Sequence, residues 1–188
     1  MIRIVFTGSE STGKTTLAAD VGRHYGVEVV PEFVRRFAEE KGGTIEFSDH
    51  GTIARGQMAL EDEFLARAMQ GCPAPPALPV LLLQDTDLLS TVVYCRHYFG
   101  RCPAWIEETA AARRPDLYLL CDTDVPWVAD GVRDRGHMRD EMQRLFEEAV
   151  NAAETRRATL SGTPQNRLAR AVEIIDRLIE ELRHADLP

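Results

Sequence analysis

The chain has 188 residues, of which 44% are hydrophobic and 28% charged, which is enough for one domain with an apolar core. Its formal net charge of −8 argues against a protein that coats nucleic acid or a membrane surface, because both need a basic face. No stretch approaches the roughly 20 apolar residues of a membrane span, and the first apolar run is too short for a signal peptide. We therefore expect a single cytoplasmic domain over residues 1–188 with no nucleic-acid or membrane partner.

Short apolar runs alternate with segments of helical periodicity along the chain. The first half predicts strand Ile2–Thr7, helix Thr15–Tyr25, strand Val27–Pro31, helix Glu32–Glu40 and helix Thr52–Met69. After a proline-rich loop, Gly71–Pro79, the pattern predicts strand Pro79–Gln84, helices Leu88–Tyr98 and Ala104–Arg114, strand Asp116–Cys121, helix Arg139–Arg157, a weak strand Ala158–Ser161 and helix Gln165–Arg183. Alternation of this kind predicts an α/β fold with a parallel sheet between helices.

The segment after the first strand, Gly8–Thr15, fits the P-loop pattern GxxxxGK[ST] at every fixed position. Its glycines let the backbone N–H groups turn toward phosphate oxygens, and the following helix adds its positive end. In this motif Lys14 bridges the β- and γ-phosphates and the Thr15 hydroxyl ligates Mg²⁺. We predict that a nucleoside triphosphate with Mg²⁺ binds to Gly8, Ser9, Glu10, Ser11, Thr12, Gly13, Lys14, Thr15 and Thr16.

Carboxylates follow two of the other predicted strands, at the edge where ligands bind in open α/β sheets. Asp85 and Asp87 come after the third strand and fit a magnesium role; their spacing puts both on one side if the strand continues. Alternatively, Asp87 is the N-cap of the next helix and Asp85 a turn residue. Glu32 follows the second strand and could take a proton from an acceptor hydroxyl, or only favour the dipole of its helix.

An arginine-rich segment follows the fourth strand and carries Arg133, Arg135 and Arg139. Arginines that close over a phosphoryl group stabilise its charge and exclude water. Pairing with neighbouring aspartates on a solvated loop is the alternative. Because a P-loop is present, we favour a lid over about residues 127–139 that supplies at least one catalytic arginine.

Several of these segments together resemble a known family. The P-loop with Glu10 and Ser11 inside it, the blocks 31–35 and 48–57, Asp85-Thr86-Asp87 and the run 127–133 are similar to the ribosylnicotinamide kinase domain of bifunctional nicotinamide-nucleotide adenylyltransferase/kinase proteins. This group is also classed with AAA-type predicted ATPases. The resemblance covers most of the chain, but the adenylyltransferase domain and its HxGH-type motif have no counterpart in this sequence.

The resemblance implies a P-loop kinase fold like that of nucleoside monophosphate kinases, with strand order 2-3-1-4-5. It implies transfer of the ATP γ-phosphate to the 5′-hydroxyl of nicotinamide riboside, with ATP and Mg²⁺ as cofactors and a small nucleoside as acceptor. An ATP-dependent regulatory switch, or a kinase for another nucleoside, remains the alternative.

The resemblance also implies a role for individual residues. The catalytic residues are Lys14, Glu32, Asp85, Asp87 and Arg133, with Glu32 or Asp87 as the base. The metal residues are Thr15 and Asp85, and the substrate residues are Glu32, Arg35, Gln57 and Asp87. The nucleotide residues outside the P-loop are Arg135, Pro164 and Gln165, the last two in a loop that passes the adenine.

Overall fold

The computed structural model describes residues 1–70, 79–126 and 138–185. Within these ranges a parallel five-stranded sheet has the order β2-β3-β1-β4-β5. Its strands are β1 (Ile2–Thr7), β2 (Val29–Val30), β3 (Leu81–Asp85), β4 (Leu117–Cys121) and β5 (Arg156–Leu160). The predicted α/β class and strand order are confirmed.

Helices connect the strands and cover both faces of the sheet. They are α1 (Lys14–Tyr25), α2 (Phe33–Lys41), α3 (His50–Gln70), α4 (Leu88–Phe99), α5 (Ala104–Ala112), α6 (Arg139–Ala152) and α7 (Pro164–Ala185). A short 3-10 turn, Phe47–Asp49, leads into α3. None of the helices in the described part of the chain is long and apolar enough to cross a membrane.

One predicted helix is wrong at its C-terminal end. The pattern predicts a helix from Arg139 to Arg157, but α6 ends at Ala152 and Arg156 already belongs to β5. The backbone leaves the helix where Glu154 adopts a φ of 52°. Arg156 then pairs with Leu117 of β4, so the conformation of this polar segment is set by a distant strand.

The apolar core explains why the three central strands are so hydrophobic. Every residue of β3 and β4 is buried, as expected for strands covered on both faces. One face packs under α1 and α7, where Phe6 and Leu119 meet Val21 and Ile175. Each such aliphatic or aromatic side chain contributes about 1.5–3 kcal/mol on burial, so the sheet is a rigid base for the loops at its edge.

The carboxyl ends of the central strands meet at one edge of the sheet. Phe6 in β1 lies opposite Asp85 in β3, and Thr7 lies opposite Leu120 in β4. Gly8 follows β1 and has a φ of 129°. A Cβ at this position would lie 2.7 Å from the carbonyl oxygen of Cys121. Glycine at this position therefore lets the P-loop approach β4 closely.

Candidate active site

Two side chains of α6 form hydrogen bonds with the backbone of the P-loop. Gln143 accepts a hydrogen bond from the Ser9 N–H at 3.0 Å and donates to the Cys121 carbonyl at 3.1 Å. Arg139, which the sequence places at the end of a lid, is the first residue of α6 and donates to the Ser11 carbonyl at 3.1 Å. The loop is thus fixed by the protein before a ligand is bound, which lowers the cost of binding.

Lys14, Thr15 and Asp85 come together at the start of α1. The Lys14 ammonium donates to the Ser9 carbonyl at 2.6 Å, and the Thr15 hydroxyl donates to Oδ2 of Asp85 at 2.6 Å. Burial raises the pKa of the Asp85 carboxyl, and the Thr15 hydrogen bond opposes that change. A hydroxyl oxygen beside a carboxylate is a donor set that suits Mg²⁺, so these two residues fit the predicted metal role.

The structure gives Asp87 partners different from those of Asp85. Thr86 between them has a φ of 78°, so the strand does not continue and the predicted common orientation fails. Oδ1 of Asp87 accepts from the Leu89 N–H at 3.0 Å and caps α4, while Oδ2 accepts from the Tyr118 hydroxyl at 2.7 Å. The capping alternative for Asp87 is therefore the one that the structure shows.

The burial of Asp87 makes stability depend on pH. Burial raises the pKa of Asp87 from 3.8 to about 7, although the Tyr118 hydroxyl opposes that change. The folded protein therefore binds a proton that the unfolded chain has lost, and the associated stability disappears as pH rises through about 7. From pH 8 to pH 6 we expect the wild type to gain stability relative to Asp87→Asn, by at most about 1.4 kcal/mol per pH unit. Thermal unfolding of both proteins across this range checks it; parallel curves would contradict it.

Two cavities meet beside the P-loop. The first, the P-loop cavity, has a volume of about 560 Å³ and is lined by residues 11–17 together with Val125, Pro126, Pro164 and Arg167. The second, the α2–α4 cavity, has a volume of about 670 Å³ and lies between α2, α3 and α4. Glu32 lines both cavities and so lies at their boundary.

The structure places the other predicted site residues as follows. Glu10, predicted to bind nucleotide, lines the α2–α4 cavity, and Arg35, predicted on the acceptor side, lines the P-loop cavity. Arg35 forms an ion pair with Glu32 at 3.7 Å. Pro164 lines the P-loop cavity as predicted, whereas Gln165 is exposed. Arg133 and Arg135, and most of the predicted lid, lie outside the described residues.

Gln57 lines the α2–α4 cavity and carries a buried hydrogen-bond donor. Its Oε1 accepts from the Phe33 N–H at 2.9 Å, which fixes the orientation of the amide. Its Nε2 is buried and has no partner within the described ranges. A buried donor without a partner costs about 1–3 kcal/mol, so an acceptor atom of a ligand in this cavity would stabilise it.

Carboxylates set the charge of the α2–α4 cavity. Glu10, Glu32 and Asp87 line it, and its lining within residues 1–70, 79–126 and 138–185 includes no lysine or arginine. Tyr94 and Phe99 add aromatic surface from α4. Such a cavity favours a neutral or cationic ligand with a flat ring and disfavours an anion.

Arg167 is a site residue that the sequence analysis missed. It is only 3% exposed, lines the P-loop cavity and donates to the Thr12 carbonyl at 2.6 Å. In the sequence it is one of several arginines on an amphipathic helix, where Arg170 and Arg177 form surface pairs with Glu173. Only its place in the first turn after the β5 loop distinguishes it from them.

A family model for an AAA domain, AAA_28, matches residues 3–167. The chain belongs to this family. It is also 26% identical over 187 residues to the trifunctional NAD biosynthesis/regulator protein NadR of Escherichia coli (strain K12), a match that covers 96% of this chain and 43% of the relative. The chain thus spans less than half the length of that curated relative. The resemblance to the ribosylnicotinamide kinase domain is confirmed by this homology.

Solved structures confirm the fold. A NadR protein in complex with NR matches with a TM-score of 0.78 at 20% identity, covering 95% of this chain and 52% of that one. A NadR protein in complex with NAD and AMP-PNP matches with a TM-score of 0.70 at 21% identity, covering 94% and 49%. Thymidylate kinase from Ehrlichia chaffeensis matches with a TM-score of 0.62 at 16% identity, covering 93% and 98%. The chain therefore has the P-loop kinase fold.

Proposed function

We propose that this chain is an ATP-dependent kinase that phosphorylates nicotinamide riboside on its 5′-hydroxyl and gives nicotinamide mononucleotide. The observation that carries the proposal is the position of Glu32, which lines the P-loop cavity and the α2–α4 cavity at once. A carboxylate at this boundary lies where an acceptor hydroxyl would meet the γ-phosphate. The homology to NadR, a NAD biosynthesis protein, favours this acceptor among nucleosides.

The P-loop cavity would hold the triphosphate. Lys14 would contact the β- and γ-phosphates, and Thr15 with Asp85 would hold Mg²⁺, directly or through water. The bound ion supplies positive charge to the phosphate oxygens. Pro126 and Pro164 line the same cavity and would border the nucleoside part of ATP.

Glu32 is the general base in this proposal. As the 5′-oxygen forms its bond to the γ-phosphorus, the bond from that phosphorus to the β–γ bridging oxygen breaks and ADP leaves. The hydroxyl proton passes to the Glu32 carboxylate. Asp85 lies beside Thr15 in the predicted metal site and Asp87 caps α4, whereas Glu32 is the carboxylate residue that lines both cavities.

The α2–α4 cavity would hold the acceptor, and its charge supports a nucleoside over a nucleotide. Nicotinamide riboside carries a positive pyridinium ring, which the Glu10 and Glu32 carboxylates would attract and Tyr94 or Phe99 could stack against. A phosphorylated acceptor would bring negative charge among the same carboxylates, which costs binding free energy. The Nε2 of Gln57 would donate to an oxygen of the acceptor.

An acceptor panel tests this function. We expect ATP-dependent turnover of nicotinamide riboside, at least about tenfold lower kcat/KM for uridine and cytidine, and no turnover of thymidine monophosphate. Coupled ADP release and chromatography of the product measure it. Turnover of no nucleoside would refute the kinase proposal, and equal ATP hydrolysis with and without acceptor would favour a regulatory switch.

Removing the Gln57 amide tests the acceptor side. Gln57→Ala deletes the buried donor, so the KM for nicotinamide riboside is expected to rise about tenfold while the KM for ATP changes little. The matched control is Gln70→Ala, at the exposed end of the same helix. Steady-state kinetics with each substrate varied in turn provide the measurement; a larger effect on the KM for ATP would contradict the assignment.

A further inference from the structure

One arginine joins three segments that border the P-loop cavity. The Arg167 guanidinium donates to the carbonyl of Thr12 in the P-loop at 2.6 Å and to that of Asp122 after β4 at 2.9 Å. Its Nε donates to the Gly162 carbonyl at 3.2 Å, before α7. It also forms an ion pair with Asp124. Burying a guanidinium is costly unless its donors are paired, and here they are paired with parts of three separate loops.

The three segments joined by Arg167 all contribute to the lining of the P-loop cavity. Thr12 lines the cavity from the P-loop, Pro126 from the segment after β4, and Pro164 from the segment after β5. The Asp124 carboxylate accepts a hydrogen bond from the Gly162 N–H, so the last two segments are also joined to each other. A nucleotide with its phosphates on the P-loop would have its nucleoside part beside Pro126 and Pro164.

We propose that Arg167 is a positioning residue for the nucleotide, which fixes the P-loop relative to the two other segments that line the same cavity. The proposal rests on the proposed function only in that ATP binds in the P-loop cavity, and it needs no particular acceptor. Because Arg167 does not appear in the lining of the α2–α4 cavity within the described ranges, its loss acts on the nucleotide and not on the acceptor.

Nucleotide binding to three variants tests this role. Arg167→Met keeps the length of the side chain but removes every donor, and Arg167→Lys keeps the charge but cannot reach three carbonyls together. Arg170→Met is the control, because Arg170 lies on the same helix and its side chain is 52% exposed. Calorimetry with AMP-PNP and Mg²⁺ is expected to show affinity at least about tenfold weaker for Arg167→Met, an intermediate value for Arg167→Lys and no change for the control.

A further variant separates positioning from a general loss of structure. Asp124→Asn leaves Arg167 and its hydrogen bond to Thr12 in place. It weakens the ion pair with Arg167 and the hydrogen bond from Gly162, which join the segments after β4 and β5. We expect it to weaken the binding of AMP-PNP more than that of inorganic tripolyphosphate, because tripolyphosphate has no nucleoside part to contact these segments. A change in general folding would affect both ligands alike.

The affinities of these variants for AMP-PNP can overturn the proposal. Folded Arg167→Met that binds AMP-PNP within about twofold of the wild type would refute it. If that variant does not fold, wild-type affinity in both Arg167→Lys and Asp124→Asn would do so. A wild type that binds AMP-PNP but phosphorylates no nucleoside refutes the acceptor proposal and leaves the role of Arg167 standing.

Discussion

Replacing Lys14 by alanine is expected to lower kcat roughly a hundredfold to a thousandfold and to weaken AMP-PNP binding. The Lys14 ammonium lies 2.6 Å from the Ser9 carbonyl, within the P-loop, where it can reach the β- and γ-phosphates. Without it, the charge that spreads over the transferred phosphoryl group loses its nearest protein cation. Single-turnover kinetics and calorimetry with AMP-PNP measure the two effects.

The chain supplies a control for this variant. Lys41, at the end of α2, pairs with Asp49 and is not part of the P-loop cavity, so Lys41→Ala should retain wild-type kcat. Full activity in Lys14→Ala would refute the P-loop assignment. A parallel loss in Lys41→Ala would instead indicate that removal of either lysine disturbs the fold.

Glu32→Gln is expected to lower kcat roughly a hundredfold to ten-thousandfold, the range typical for loss of a general base. Glutamine has the shape of glutamate but cannot accept the proton, so binding of AMP-PNP should persist, while loss of one lining charge weakens binding of the cationic acceptor. The expected result is a fall in kcat with a nearly unchanged affinity for AMP-PNP, measured by initial rates and calorimetry.

Two comparisons sharpen the test of Glu32. Glu28→Gln is the matched control, because Glu28 lies four residues earlier and its side chain is 70% exposed. Asp87→Asn tests the other candidate base and should reduce kcat less, since Asp87 lines only the α2–α4 cavity whereas Glu32 lines both. If Asp87→Asn lost more activity than Glu32→Gln, the base would have to be reassigned.

The parts of the site that could be predicted from the sequence are those that depend on a local motif or a local apolar pattern. The P-loop has fixed residues at fixed spacing, and the apolar runs of β3 and β4 indicate buried parallel strands. Since parallel strands bring their carboxyl ends to one edge, the meeting of Thr15 with Asp85 follows from the motif and the strand together.

The parts that could not be predicted depend on contacts between distant segments. The predicted C-terminal end of α6 is wrong because Arg156 belongs to β5. Its pairing with β4 is a contact between distant segments, so the local periodicity does not indicate it. The separation of Asp85 from Asp87 depends on a positive φ at Thr86, which a β-branched residue seldom adopts. Arg167 was missed because its partners lie in loops up to 155 residues away.

The two cavities have consequences for how proteins with this fold can diverge. The contacts that fix the P-loop come from Gln143, Arg139 and Arg167, on α6 and α7. The α2–α4 cavity is built by other helices, and α2 has no fully buried residue. Apart from Arg35, which lines the P-loop cavity, α2 can therefore change and reshape the α2–α4 cavity while the contacts that fix the P-loop remain. Under the proposed function, the choice of acceptor can then evolve while the supports of the P-loop stay the same.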